Sequence, residues 1–85
     1  MTQTGRITEE TQRIGLELKL LRVRAGLSQE ELCNLSNGEL RRGTVIAIEK
    51  AKYNASIGQI CTYAGLLGYR LNIEPDPDLT PNKEV

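Results

Sequence analysis

The chain has 85 residues, 11 basic and 11 acidic, two cysteines and no histidine. A length of this order supports one hydrophobic core, so a single domain is expected. The missing histidine removes the commonest general base, and there is no glycine-rich phosphate loop or paired-carboxylate cleft, so no enzyme is expected.

The chain opens at Met1 without a basic-then-apolar leader. No apolar run approaches the ~20 residues that span a bilayer. A soluble, cytoplasmic protein with no membrane partner is therefore expected. Cys33 and Cys61 lie 28 positions apart with no other metal-ligating cluster near them. They read as two small buried hydrophobes, with no metal or other cofactor implied.

The zero net charge hides an asymmetry. Residues 74–85 carry Glu74, Asp76, Asp78 and Glu84 against Lys83, a net of −3. The first 73 residues then carry +3, with Arg41, Arg42, Lys50 and Lys52 gathered within twelve positions. A basic cluster of this kind suits a polyanionic partner.

In chain order, residues 1–8 are polar and aperiodic and read as a flexible arm. A first helix is expected from about Glu9 to Arg24, with Ile14, Leu18 and Leu21 on its inward face. Leu20 and Val23 lie off that stripe, available to a partner chain. Gly26 ends the helix.

The next six residues, Leu27-Ser28-Gln29-Glu30-Glu31-Leu32, hold a complete helix start. Ser28 is a good N-cap, Glu31 completes a capping box, and Leu27 with Leu32 forms a hydrophobic staple. This helix is expected to end at Leu35 or Ser36, where Asn37-Gly38 supplies a turn able to take positive φ. A third helix is expected to begin between Arg41 and Thr44 and run to about Lys50, turning Val45 and Ile48 inward.

Asn54-Ala55-Ser56 reads as the cap of a fourth helix from Ile57 to about Leu67. Its inward residues are expected to be Ile57, Ile60 or Cys61, Ala64 and Leu67. Gly65 inside it costs about 1 kcal/mol against alanine, so a shorter final turn is the alternative. After Gly68 the period changes to two: Tyr69, Leu71 and Ile73 alternate with polar residues until Pro75, the pattern of one amphipathic strand. The acidic, proline-rich stretch 75–85 has little to bury and reads as a disordered tail.

Two short helices joined by a turn can read DNA, the first lying over the backbone and the second entering the major groove. The residues here resemble the lambda-repressor-like family of Cro/cI-type (XRE-type) helix-turn-helix regulators. The resemblance runs from Ile14-Gly15 through Leu21-Arg22, Gly26 to Leu32, Thr44-Val45-Ile46-Ala47-Ile48-Glu49-Lys50 and Asn54-Ala55-Ser56 to Leu67-Gly68, about two-thirds of the chain. It departs from the family in a segment between Leu32 and Val45 that is about two residues longer, which leaves Arg41 or Arg42 as the start of the recognition helix. Ala51 and Ala55 stand where glycine and proline are common.

The resemblance implies an all-α fold of four to five helices. It implies phosphate contacts from Ser28 and Gln29, with Gln29 also near a base edge, and Arg42 in the groove. Thr44 would hold phosphate or cap the helix, Ala47 would face a base, and Lys50 would meet phosphate. Gly43 joins this set as part of the recognition-helix start, and Arg41 and Lys52 are further phosphate candidates. Arg22 and Glu49 are implied to form a structural ion pair.

A single strand has unpaired edges, so residues 69–74 with Tyr69, Leu71 and Ile73 read as a dimerisation strand, or as an extension over the chain's own core. The expected function is a homodimeric transcriptional repressor bound to a palindromic double-stranded operator. The layout is also similar to HipB-like antitoxins, which implies a partner toxin protein as the alternative.

Overall fold

The computed structural model describes residues 3–52 and 55–79, with side chains from Glu9 onward. It contains four helices: α1 Gln3–Arg24, α2 Gln29–Leu35, α3 Arg42–Lys50 and α4 Ile57–Leu66. Among the described residues there is no strand, so the fold is all-α. None of the described helices is long and apolar enough to cross a membrane.

α1 begins at Gln3, earlier than the expected Glu9, and takes in most of the stretch read as an arm. It ends as expected at Gly26, whose φ is 76°. The start of α2 follows the local chemistry closely. Ser28 Oγ accepts the N–H of Glu31 at 3.0 Å, and the Glu31 carboxylate accepts the N–H of Ser28 at 2.8 Å. The bond from the Ser28 N–H first, and then the Ser28 side chain, hold the Glu31 carboxyl below the usual carboxylate range. α4 is capped in the same reciprocal way by Ser56 and Gln59. The Asn54 part of that expected cap lies outside the described residues, as does the tail from residue 80 onward.

The core is one cluster of Leu18, Leu32, Leu40, Val45, Ile48, Tyr63 and Ala64, with Ile14, Leu27, Ile60 and Leu67 packed at its edge. α1 and α3 cross closely, and Gly15 is the reason they can. A Cβ on Gly15 would lie 2.3 Å from the carbonyl oxygen of Ile48, a backbone atom with no freedom to swing away.

Four inward assignments change. Ile57 is 75% exposed, because the core-facing side of α4 is set by Ile60, Tyr63, Ala64 and Leu67. Tyr63, absent from the expected set, is fully buried. Cys61 is exposed and only Cys33 is partly buried against the core, where loss of hydration pushes its thiol pKa up. Leu40, in the connection between α2 and α3, is a core residue at 2% exposure.

Candidate functional site

The six residues between α2 and α3 are organised by one serine. Ser36 Oγ accepts the N–H of Leu40 at 2.9 Å and donates to the carbonyl of Cys33 at 2.7 Å. Asn37 and Gly38 take positive φ, 55° and 87°, and turn the chain so that Leu40 drops into the core. The connection is thus a loop plugged by Leu40, and α3 starts at Arg42.

Arg41 occupies the N-cap position of α3 but makes no side-chain cap bond, in contrast to Ser28 on α2 and Ser56 on α4. Thr44 sits in the first turn, half-buried, and does not cap the helix. Among the described residues no side chain accepts from the first N–H groups of α3, the end of a helix at which anions are favoured.

Successive helical residues advance by 100°, so Arg42, Gly43, Ile46 and Lys50 fall on one arc of α3. Arg42, Gly43 and Lys50 are exposed and Ile46 is half-exposed at the centre of that arc. Val45, Ala47, Ile48 and Glu49 are buried. Arg42 and Lys50 stand ~12 Å apart along the axis at the helical rise.

The expected base-facing residue Ala47 is not on this arc. It is 3% exposed, its methyl already packed inside the protein, and so it cannot meet a base edge without unpacking α3. Ile46, one position earlier, holds the outward place. The i, i+4, i+8 spacing of Arg42, Ile46 and Lys50 is the signal in the sequence that points to it.

Behind this face lies a buried polar network centred on Glu49. Arg22 grips it through two bonds, Nε to Oε2 at 2.7 Å and Nη2 to Oε1 at 3.1 Å, with the two side chains 9% and 2% exposed. Arg22 Nη1 also donates to the carbonyl of Leu27 at 2.7 Å. The Tyr63 hydroxyl is hydrogen-bonded to Glu49 Oε2 and lies 3.3 Å from the carbonyl of Leu18. Gln29 Nε2 donates to Glu49 Oε1 at 3.1 Å.

One carboxylate therefore ties α1, α2, α3 and α4 together. Burial alone would push the Glu49 carboxyl up, but the bonds from Arg22, Tyr63 and Gln29, with the charge of Arg22, bring it below the ordinary range. Burial and the neighbouring carboxylate push the Tyr63 phenol well up. The bond from Glu49 holds the Arg22 guanidinium firmly protonated.

Gln29 consequently has a structural task that its position at the start of α2 does not reveal: its amide N–H is committed to Glu49. Ser28 remains exposed, its oxygen accepting the cap bond from the Glu31 N–H. Lys52 is exposed just past Ala51, whose φ of 54° ends α3. Tyr69, Leu71 and Ile73 are all exposed, and residues 69–74 carry no regular structure in the single chain. Comparison of the chain with family models, curated proteins and solved structures returned no match.

Proposed function

We propose that this chain is a helix-turn-helix transcriptional regulator of the lambda-repressor-like kind, binding a palindromic operator as a homodimer and acting by binding alone. The observation that carries this reading is the outward arc of α3. Arg42 and Lys50 stand at its two ends and Ile46 between them, while the buried Glu49 network fastens the helix to the rest of the domain. A single helix of this width fits the major groove, about 12 Å across.

In this reading Arg42 pairs with guanine O6 and N7, and Ile46 lies against a thymine methyl, an apolar contact of the kind the groove offers. Arg41, Lys50, Lys52, Ser28 and the first N–H groups of α3 hold phosphate. Gln29 acts from behind, steadied by Glu49, and offers its carbonyl oxygen outward.

Fluorescence anisotropy on labelled duplexes tests the assignment. Binding should weaken with salt, the logarithm of affinity falling by ~0.9 per phosphate contact for each tenfold rise. Arg42→Ala should reduce the preference for a selected site over random duplex by ~1–3 kcal/mol. Lys50→Ala should weaken both duplexes alike, leave their ratio unchanged, and lower the salt slope by about 1. An Arg42→Ala protein with intact selectivity would remove Arg42 from the groove.

A further inference from the structure

After the turn that ends α4 the backbone runs without hydrogen-bond partners for five residues. The N–H of Tyr69 donates to the carbonyl of Ala64 at 2.9 Å, and from Arg70 to Glu74 no backbone group finds a partner among the described residues. All five are exposed, Ile73 at 98%. A run of unpaired donors and acceptors with alternating apolar side chains is an open strand edge, which folded proteins cover.

The side-chain order says what covers it. In an antiparallel pair about a two-fold axis, directly opposite residues lie on the same face with Cβ atoms ~5 Å apart. With Asn72 on the axis, Arg70 falls opposite Glu74 of a second copy, and Glu74 opposite that copy's Arg70. Leu71 meets Ile73 twice on the other face, and Pro75 closes the ladder opposite Tyr69. A shift of one residue puts Arg70 opposite Ile73 and Tyr69 opposite Glu74, mixing charge into the apolar face.

An axis on Leu71 leaves Glu74 opposite Gly68 and Arg70 opposite Asn72, with no charge pair formed. An axis on Ile73 would set Arg70 opposite Asp76, but it draws Pro75 and Pro77 into the ladder, where neither can donate a hydrogen bond. The register centred on Asn72 makes both faces self-complementary and keeps Pro75 at the end.

An isolated two-stranded ribbon is marginal in water, and this one has backing. Leu71 and Ile73 line the groove between α1 and α4 with Ile14 and Ile57. Tyr69 also lines a neighbouring depression with the exposed Leu20 of α1, so the apolar surface continues along α1.

We infer that residues 69–75 pair with the same segment of a second copy in the register that places Asn72 on the two-fold axis and Arg70 against Glu74. This deepens, and rests on, the homodimer proposed above.

Sedimentation equilibrium of the full chain tests it in near-physiological salt. Arg70→Glu and Glu74→Arg shift the net charge in opposite directions, yet each should raise the dimer dissociation constant roughly tenfold, because each sets like charges opposite at two places. The double swap, Arg70→Glu with Glu74→Arg, should return to within about threefold of the original value. All these positions are exposed, and circular dichroism checks that the helices are unchanged. A dimer indifferent to both single swaps would overturn the register while leaving the dimer standing. A chain that stays monomeric at every concentration would overturn the homodimer itself.

Discussion

Glu49→Ala is expected to lower the stability of this domain by ~3–5 kcal/mol, the loss typical when one partner of a buried ion pair is removed. The cause is what remains behind. Arg22 would keep its charge in a nearly closed site, left with neutral oxygens such as the Leu27 carbonyl, and Gln29 Nε2 would lose its acceptor. The Tyr63 hydroxyl fares better, since the Leu18 carbonyl lies within reach. Small domains have about 5–15 kcal/mol in total, so the variant should stand near the edge of unfolding in urea titrations.

Two companion variants separate charge from shape. Glu49→Gln keeps an acceptor oxygen but presents an N–H₂ to a guanidinium, and should fall between the wild type and alanine. Arg22→Leu combined with Glu49→Leu removes both charges, and should recover much of what Glu49→Ala loses, as apolar replacements of buried pairs commonly do. A double variant no more stable than Glu49→Ala would contradict this account of the network.

The same group sets the acid limb of the stability curve. The folded Glu49 carboxyl titrates below its unfolded counterpart, near pH 4.3. Its contribution is therefore present in full above that unfolded value and disappears as the pH falls through the folded one. Stability measured from neutral pH downward should fall in that acid window, and the fall should be smaller in the Arg22→Leu, Glu49→Leu protein.

Gly15→Ala is the second substitution with a large expected effect, and it adds only a methyl group. The new Cβ would meet the Ile48 carbonyl oxygen at 2.3 Å and the Glu49 carbonyl oxygen at 3.1 Å. Neither atom can rotate away, so α1 and α3 must separate. Overpacking of this kind costs typically ~1–3 kcal/mol and more when backbone has to move, so a loss of about 3 kcal/mol is expected. That outweighs the gain of up to about 1 kcal/mol in helix propensity that alanine brings to an exposed helical site.

Thermal unfolding followed by circular dichroism reads this directly. Gly65→Ala serves as the control: it lies in α4 with open space where the Cβ would go, so it should be neutral or mildly stabilising. Equal behaviour of the two variants would show that the α1–α3 crossing is looser than described. A separated crossing should also strain the Arg22–Glu49 bonds, so Gly15→Ala should reduce the further cost of Glu49→Ala.

What could be read in the residues was the chemistry that acts over four or five positions. Ser28 and Glu31 declare the start of α2, and Asn37-Gly38 the turn after it, because caps and positive-φ turns are decided locally. Arg22 and Glu49 are 27 residues apart, and only a resemblance linked them. Nothing local marks Tyr63 or Gln29 as further partners of Glu49. Their roles arise when four helices bring their side chains to one carboxylate.

Leu40 escaped notice for a similar reason. It has no periodic neighbours, and its burial follows from the loop that Ser36 folds. Ile57 was misplaced because the first turn of a short helix offers little pattern to fix its phase, and one residue turns a side chain through 100°. Ala47 was placed outward by the resemblance alone, whereas the packing of α3 buries it and turns Ile46 outward.

The central claim, that α3 reads DNA from each half of a dimer, is tested most directly by selecting bound sequences from a pool of random duplexes. The account predicts a palindromic site whose half-sites are centred about 10 base pairs, or ~34 Å, apart or a multiple of that spacing. Each half-site should contain a guanine whose enrichment vanishes with Arg42→Ala. A pool that emerges unenriched, or enriched identically by the wild type and Arg42→Ala, would contradict it.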